Sequence, residues 1–349
     1  MASELLPYRR LLVTGGCGFI GSNLVRDMLS TQPRLELVNL DALTYAGNLE
    51  NLADVMQDRR LRFVHGRVED VDACREALDG VDAVVHLAAE THVDRSILGP
   101  QVFVTTNVLG TQVLLDAALA AGVKRLLHVS TDEVYGPALE GERFDEDAPF
   151  RPSSPYAATK AAADLMALAH ARTHGMDLVV TRCTNNYGPF QFPEKLIPLV
   201  IVNALNQEPV PVYGDGRQVR DWLHVQDHCR AIQRVLGRGR SGVAYNVAAD
   251  SPMENLDLVQ AVLDALGAPR SLIRHVTDRP AHDRRYALDC SRLCSELDWR
   301  PEHRLEQGLR QTIAWYRTNR SWWERVQDGS YREFYRQQYG QRLDEGAGE

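Results

Sequence analysis

Along the first half of the chain, short apolar runs alternate with longer stretches whose apolar positions recur every three to four residues. Arg10–Thr14, Leu35–Asp41, Leu61–His65, Ala83–Leu87, Arg125–Ser130 and Leu178–Cys183 are short and rich in Val and Leu, a pattern that predicts buried strands. Phe19–Ser30, Val71–Leu78, Val104–Ala121 and Tyr156–Thr173 carry the helical period between them. Strand-helix alternation over this length predicts a doubly wound parallel sheet. After Pro189 the pattern breaks. Prolines at 193, 198, 209 and 211, then Gly214 and Gly216, divide the chain into shorter elements. Residues 1–190 are therefore expected to form one domain and 191–335 a smaller second one. Val225–Leu236 reads as a helix and Ala244–Ala248 as a strand, and residues 225–248 are expected to return to the first domain. The end, Glu345–Glu349, reads as frayed.

Thr14-Gly15-Gly16-Cys17-Gly18-Phe19-Ile20-Gly21 follows the first strand and opens the first helix. Glycines at 15, 18 and 21 allow a tight turn and a close approach of backbone to a pyrophosphate, which then sits on the helix N-terminus. Asp41 ends the second strand, where a carboxylate accepts from adenosine ribose hydroxyls and repels a 2′-phosphate. The expected cofactor is NAD in a Rossmann-type domain.

Tyr156 and Lys160 stand four apart at the start of a helix announced by Pro152-Ser153-Ser154-Pro155, so phenol and ammonium share a face. A nearby positive charge favours phenolate and suits Tyr156 to act as a base toward a sugar hydroxyl. Ser130-Thr131-Asp132-Glu133-Val134-Tyr135-Gly136 follows the fifth strand, at the edge of the sheet where ligands bind. Two adjacent carboxyl groups suit a reaction that takes a proton from one carbon and protonates a leaving hydroxyl on the next.

With these motifs the chain resembles the extended short-chain dehydrogenase/reductase family, and within it the 4,6-dehydratases of nucleotide-activated sugars. The likeness covers nearly the whole chain, with Asn185–Pro198 its most specific stretch. It implies oxidation at C4, loss of water across C5 and C6, and reduction at C6, with dTDP-glucose as the expected substrate. A GDP-mannose or UDP-sugar dehydratase, or a sugar epimerase, is the alternative. The resemblance implies that Thr131 binds the sugar, Asp132 is the general acid at the C6 hydroxyl, and Glu133 takes the C5 proton. Tyr156 would deprotonate the C4 hydroxyl while Lys160 holds the nicotinamide ribose. Phe19, Ile20, Leu43, Thr44, Leu87, Ala89, Thr106 and Asn186 would touch NAD. Thr91, Asn185, Lys195, Leu196, Pro211, Tyr213, Arg220, Asn255, Arg279 and His282 would line the nucleotide-sugar pocket. A homodimer through Val104–Ala121 and Tyr156–Thr173 is also implied.

Three positions depart from the family pattern. Arg67 stands where an aspartate usually lies beside the adenine, with stacking or Asp70 the candidates to compensate. Ala281 replaces a glycine of the substrate loop, and Thr91 replaces a serine.

The formal net charge of −8 gives a general nucleic-acid role no support, so an anionic ligand needs a local basic cluster. Arg279-Pro280-Ala281-His282-Asp283-Arg284-Arg285 supplies one. Arg220 and Arg279 are suited to a diphosphate and His282 to the ligand, whereas Arg284 and Arg285 read as surface residues. Only Lys124, Lys160 and Lys195 among the 39 basic residues are lysine, which points to codon bias and to sites where guanidinium cannot replace ammonium. Six cysteines lie scattered without CxxC pairs and read as reduced thiols, and no metal site is expected. No signal-peptide layout and no apolar run near about 20 residues is read from the sequence. A cytoplasmic protein without membrane contact is expected.

Overall fold

The computed structural model describes residues 5–327 and 329–345. Seven parallel strands form the central sheet: β1 (Arg10–Thr14), β2 (Glu36–Asp41), β3 (Leu61–His65), β4 (Ala83–His86), β5 (Arg125–Thr131), β6 (Leu178–Cys183) and β10 (Ala244–Val247). Their order is β10-β6-β5-β4-β1-β2-β3, with the sequence direction reversing between β1 and β4. The six strands read from the sequence are all present, shifted by a residue at most at their ends. Apolar clusters cover both faces. One gathers the helices Phe19–Thr31 and Val225–Arg238, the other Val71–Ala77, Gly110–Ala120 and Pro155–His174. This explains why the strands read as continuous apolar runs.

β7 (Asn185–Tyr187) leaves the main sheet and pairs with β9 (Val219–His224), which β11 (Pro252–Glu254) extends antiparallel. β8 (Val210–Tyr213) and β12 (Ile273–Val276) form a parallel pair. The helices Leu196–Leu205, Asn255–Leu266 and Leu305–Thr318 pack over these strands around Trp222, Trp323 and Tyr316. All six cysteines are free thiols. The chain end read as frayed lies, beyond Glu345, outside the described residues.

The stretch Val104–Ala121 differs from its expectation. Helical backbone begins earlier, at Pro100, and runs to Ala120, with a π-helical segment over Val104–Leu109. With 21 residues and a mean hydropathy of 1.4, this helix is long and apolar enough to cross a membrane, so the reading that no apolar run approaches that length is corrected. Interleaved Thr, Asn and Gln hide the run in the sequence. One side of the helix packs against Val71–Ala77 and Pro155–His174, and Asn107 lies buried within the π segment. Its amide bonds Glu90 O and Thr159 Oγ1, both at 3.0 Å.

Helix Pro155–His174 is bolted to the sheet by a buried ion pair. Arg182 of β6 meets Asp164 through Nε at 2.8 Å and Nη2 at 3.1 Å, and its Nη1 donates to the Tyr135 hydroxyl and the Glu146 carbonyl. Removing one partner strands the other charge in a dehydrated core. Asp164→Ala is expected to cost about 3–5 kcal/mol of unfolding free energy. Urea denaturation of variant and parent measures it, and a loss below about 1 kcal/mol would show the pair to be dispensable.

Candidate active site

β5 brings the motif Ser130–Gly136 to the carboxyl edge of the sheet. The Thr131 hydroxyl accepts from the Glu133 N–H at 3.3 Å and caps a single 3-10 turn, Asp132–Tyr135. That turn holds both acids at the edge while Val134 and Tyr135 anchor it in a small apolar cluster.

The two carboxyl groups sit in different fields. Asp132 is 3% exposed; its Oδ1 accepts from Thr131 Oγ1 at 3.1 Å, and its Oδ2 has no partner. Burial, then the neighbouring Glu133, pushes its carboxyl up to about 8. Asp132 is therefore protonated at neutral pH. Burial raises Glu133 as well, but Arg279, Arg220 and Lys195 all pull it back toward the ionised form. Adjacent acids whose environments separate them in this way can serve as one proton donor and one proton acceptor.

Tyr156 is buried, its ring edge-on to Phe103 at 6.4 Å. Its phenol stands well above the ordinary value, because of burial first and then Glu133, with the Thr131 hydroxyl acting in the opposite direction. The expectation that a nearby positive charge favours phenolate at Tyr156 is thus corrected for the free protein. Lys160 Nζ instead donates to the Val129 carbonyl at 2.7 Å, and burial brings its ammonium down to about 8.

On the cofactor side, the glycine turn is tied to the tip of β2. Gly15 N donates to Leu40 O at 2.8 Å, Gly16 N to Asn39 Oδ1 at 3.0 Å and Cys17 N to Asp41 Oδ2 at 2.8 Å. Gly15 has a φ of 72°, and a Cβ on Gly21 would lie 2.1 Å from the Gly15 carbonyl, so neither position tolerates a side chain. No side chain caps helix Phe19–Thr31, which leaves its first-turn N–H groups facing the cavity. An uncapped N-terminus beside an oriented, buried carboxylate fits a dinucleotide's diphosphate and ribose hydroxyls.

A cavity of about 300 Å³ is lined by Gly15, Gly18, Phe19, Ile20, Gly21, Asp41, Thr44, Leu87, Ala89, Thr106 and Asn186, and by Thr131, Asp132, Glu133, Tyr156 and Lys160. A second of about 180 Å³ is lined by Leu196, Pro211, Tyr213, Arg220, Asn255, Arg279 and His282. Thr91, Glu133, Asn185, Glu194 and Lys195 border both, so the two cavities meet at Glu133, with Asp132 beside it on the wall of the larger one. Leu43 is the exception among the expected residues. Its backbone takes a φ of 49°, its N–H donates to Asp41 Oδ1 at 2.8 Å, and its side chain packs on the core.

The basic residues divide as their surroundings dictate. Arg279 Nη1 is buried without a partner, as is Asn255 Oδ1, so the smaller cavity presents an unmet donor and an unmet acceptor. Arg220 lies over the Tyr286 ring at 4.2 Å and donates to Val219 O and Asp283 O. His282 is driven down to about 4 by burial and then by Arg279; its Nδ1 lies 2.6 Å from Asp278 Oδ1. Arg284 pairs with Asp215 on the surface and Arg285 holds two loop carbonyls. Arg67 lines the larger cavity, paired with Glu69 at 3.3 Å. Asp70 does not compensate for it, because its carboxylate caps helix Val71–Ala77 through Asp72 N and Ala73 N. Ala281 adopts a φ of 52°, the left-handed backbone that a glycine holds without strain. Glu90, Cys183, Gln191 and Glu194 also line the larger cavity and went unread as site residues, although Gln191 and Glu194 fall within the specific stretch Asn185–Pro198.

Comparison with known proteins agrees with this geometry. A sequence profile of the GDP-mannose 4,6 dehydratase family matches residues 12–312. A dTDP-glucose 4,6-dehydratase of Actinoplanes sp. is 52% identical over 319 residues, which is 90% of this chain and 99% of the relative. The solved dTDP-glucose 4,6-dehydratase DesIV of Streptomyces venezuelae, with NAD bound, superposes with a TM-score of 0.89 at 52% identity, covering 91% of this chain and 99% of its own. The Bacillus anthracis enzyme, in complex with NAD, gives 0.85 at 43% identity over 91% and 99%. The chain belongs to the NAD-dependent nucleotide-sugar 4,6-dehydratases, and within them to the dTDP-glucose 4,6-dehydratase family.

Proposed function

We propose that this chain dehydrates dTDP-glucose to dTDP-4-keto-6-deoxyglucose, with the nucleotide sugar in the smaller cavity and its hexose at the junction of the two. The observation that carries the reading is the adjacent pair Asp132 and Glu133, Glu133 at that junction and Asp132 next to it in the larger cavity, the first carboxyl pushed up to about 8 and the second raised by burial but drawn back by three cations.

NAD⁺, which the glycine turn and Asp41 would hold in the larger cavity, would supply hydride uptake at C4 and its return at C6. Tyr156 receives the proton of the C4 hydroxyl. Burial, then Glu133, holds its phenol high in the free protein, so the base form requires the positive charge that a bound nicotinamide would bring beside it. The C4 ketone makes the C5 hydrogen acidic, and Glu133 accepts it. Asp132 gives its proton to the C6 hydroxyl, which departs as water. Arg220 and Arg279 meet the diphosphate, and Lys195, whose Nζ donates to Thr91 O at 3.0 Å, stands between diphosphate and hexose.

The same reading divides the chain at about residue 190 into a cofactor-binding and a sugar-binding part, with residues 225–248 belonging to the first. It also makes the protein a cytoplasmic homodimer. Support for the dimer is the exposure of Ile97, Leu98, Val102, Val104, Leu109, Leu119 and Leu165 on the helices Val93–Leu98, Pro100–Ala120 and Pro155–His174. Leu109→Arg combined with Leu165→Arg is expected to halve the mass seen by light scattering.

A protonated Asp132 is present below about pH 8 and is lost as pH rises through that value. Decay of the enzyme-bound NADH signal should therefore slow above about pH 8 in the parent. In Asp132→Asn it should be slower throughout and lack that limb; a limb that persists would remove Asp132 from the acid role. Substrate deuterated at C4 is expected to give product deuterated at C6, and turnover in heavy water to add one deuteron at C5. Mass spectrometry and NMR read both. Label recovered at C4 would mark an epimerase and overturn the dehydratase reading.

A further inference from the structure

Helix Gly329–Glu345 lies beyond the residues matched by the family profile, yet it forms part of the smaller cavity's wall. Tyr331, Phe334, Tyr335, Gln338 and Tyr339, spaced by threes and fours, share one of its faces. That face is applied to the rest of the molecule along its length. The Tyr331 hydroxyl donates to Pro193 O at 3.2 Å, and the Tyr335 hydroxyl accepts from Asn203 Nδ2 at 3.0 Å. Phe334 covers the Arg95 guanidinium at 3.9 Å. That guanidinium also lies over the Tyr45 ring at 4.0 Å, and its Nε pairs with buried Glu194 at 3.0 Å.

The last turn of this face reaches Tyr213. Gln338 Nε2 donates to the Tyr213 hydroxyl at 2.6 Å, and that hydroxyl donates to Asp94 Oδ2 at 3.0 Å. The Tyr339 ring rests against the Tyr213 ring with centroids 5.8 Å apart, and His282 meets Tyr213 edge-on at the same separation. Tyr213, His282 and Tyr339 all line the smaller cavity.

We propose that Gln338 and Tyr339 are positioning residues for nucleotide-sugar recognition, fixing Tyr213 against the ligand, and that their helix retains the oxidised sugar until reduction is complete. The inference rests on the nucleotide-sugar reading of the smaller cavity. Its physical basis is that an aromatic wall residue contributes to binding only as far as its orientation is fixed before the ligand arrives. Tyr213 is fixed from two sides, by the amide of Gln338 and the ring of Tyr339. Retention follows from the tie at Arg95: Phe334 of the same helix face covers the guanidinium that pairs with Glu194, and Glu194 borders both cavities, so the helix is tied to the wall they share. A ketone intermediate that escaped would leave the reduced cofactor behind and the enzyme idle.

The test uses the full chain with Gln338→Leu, Tyr339→Ala and the conservative Tyr339→Phe. Initial rates against dTDP-glucose, thermal midpoints, and the yield of released dTDP-4-ketoglucose are measured together. Expected is a KM for Gln338→Leu and Tyr339→Ala raised by about tenfold, the scale of one lost hydrogen bond or ring contact, with kcat within about twofold. Released ketone should rise in both, while Tyr339→Phe, which keeps the ring but loses the hydroxyl's hydrogen bond with Tyr213, falls between the parent and Tyr339→Ala, and the midpoints hold. An unchanged KM in both variants, or a loss of kcat/KM that follows a lowered midpoint, overturns the proposal while the dehydratase reading stands. A parent that does not turn over dTDP-glucose overturns the reading itself, and the inference with it.

Discussion

The buried ion pair between Arg182 and Asp164 sets the spacing on which the rest of the site depends. Tyr156, Lys160 and Asp164 follow one another at intervals of four on helix Pro155–His174, so they lie along one face. Fixing Asp164 to β6 fixes the phenol and the ammonium against the end of β5. Lys160 reaches the Val129 carbonyl, and the Thr131 cap begins two residues later. A looser helix would leave the acids in place and carry the base away from them. The pair stabilises a position more than it stabilises the fold, since a charged core contact is seldom better than an apolar one.

Burial then does the chemical sorting. Every titratable group at the junction is dehydrated, so each takes the protonation state its neighbours impose. Asp132 has an unpartnered oxygen and an acidic neighbour and holds its proton. Glu133 faces Arg220, Arg279 and Lys195, which draw it toward release. Burial lowers the ammonium groups Lys160 and Lys195 toward neutrality, and the carboxylates around them work against that. In water all of these groups would behave alike by type. Their differences here come from a dry site with an asymmetric set of charges.

Much of this was legible along the chain because it is written in local pattern. Strands buried on both faces announce themselves as apolar runs, and the glycine turn, Asp41, the Thr131–Glu133 turn and Tyr156–Lys160 are each contained in a few residues. What escaped reading depends on contacts between distant segments. The drift of Leu43 into the core follows from a left-handed backbone that leucine does not advertise. The use of Asp70 as a helix cap could have been found, since it immediately precedes an apolar helical period. The approach of Tyr339 to Tyr213 spans more than a hundred residues and has no local signature. The protonation of Asp132 follows from three-dimensional burial, which an Asp-Glu dipeptide does not encode.

The scarcity of lysine has a practical side. Lys160 lies buried in the wall of the larger cavity and Lys195 is partly enclosed where the two cavities meet, whereas Lys124 projects from the start of β5, its side chain 69% exposed and paired with Asp82 at 2.7 Å. Lys124 stands at the amino ends of the strands, and the ligand cavities open at their carboxyl ends. Among the described residues, an amine-directed reagent thus meets one accessible side chain, on the side of the sheet away from the chemistry. Coupling through it would tether the protein to a surface or a dye in a single orientation, with its cavities turned toward the solution.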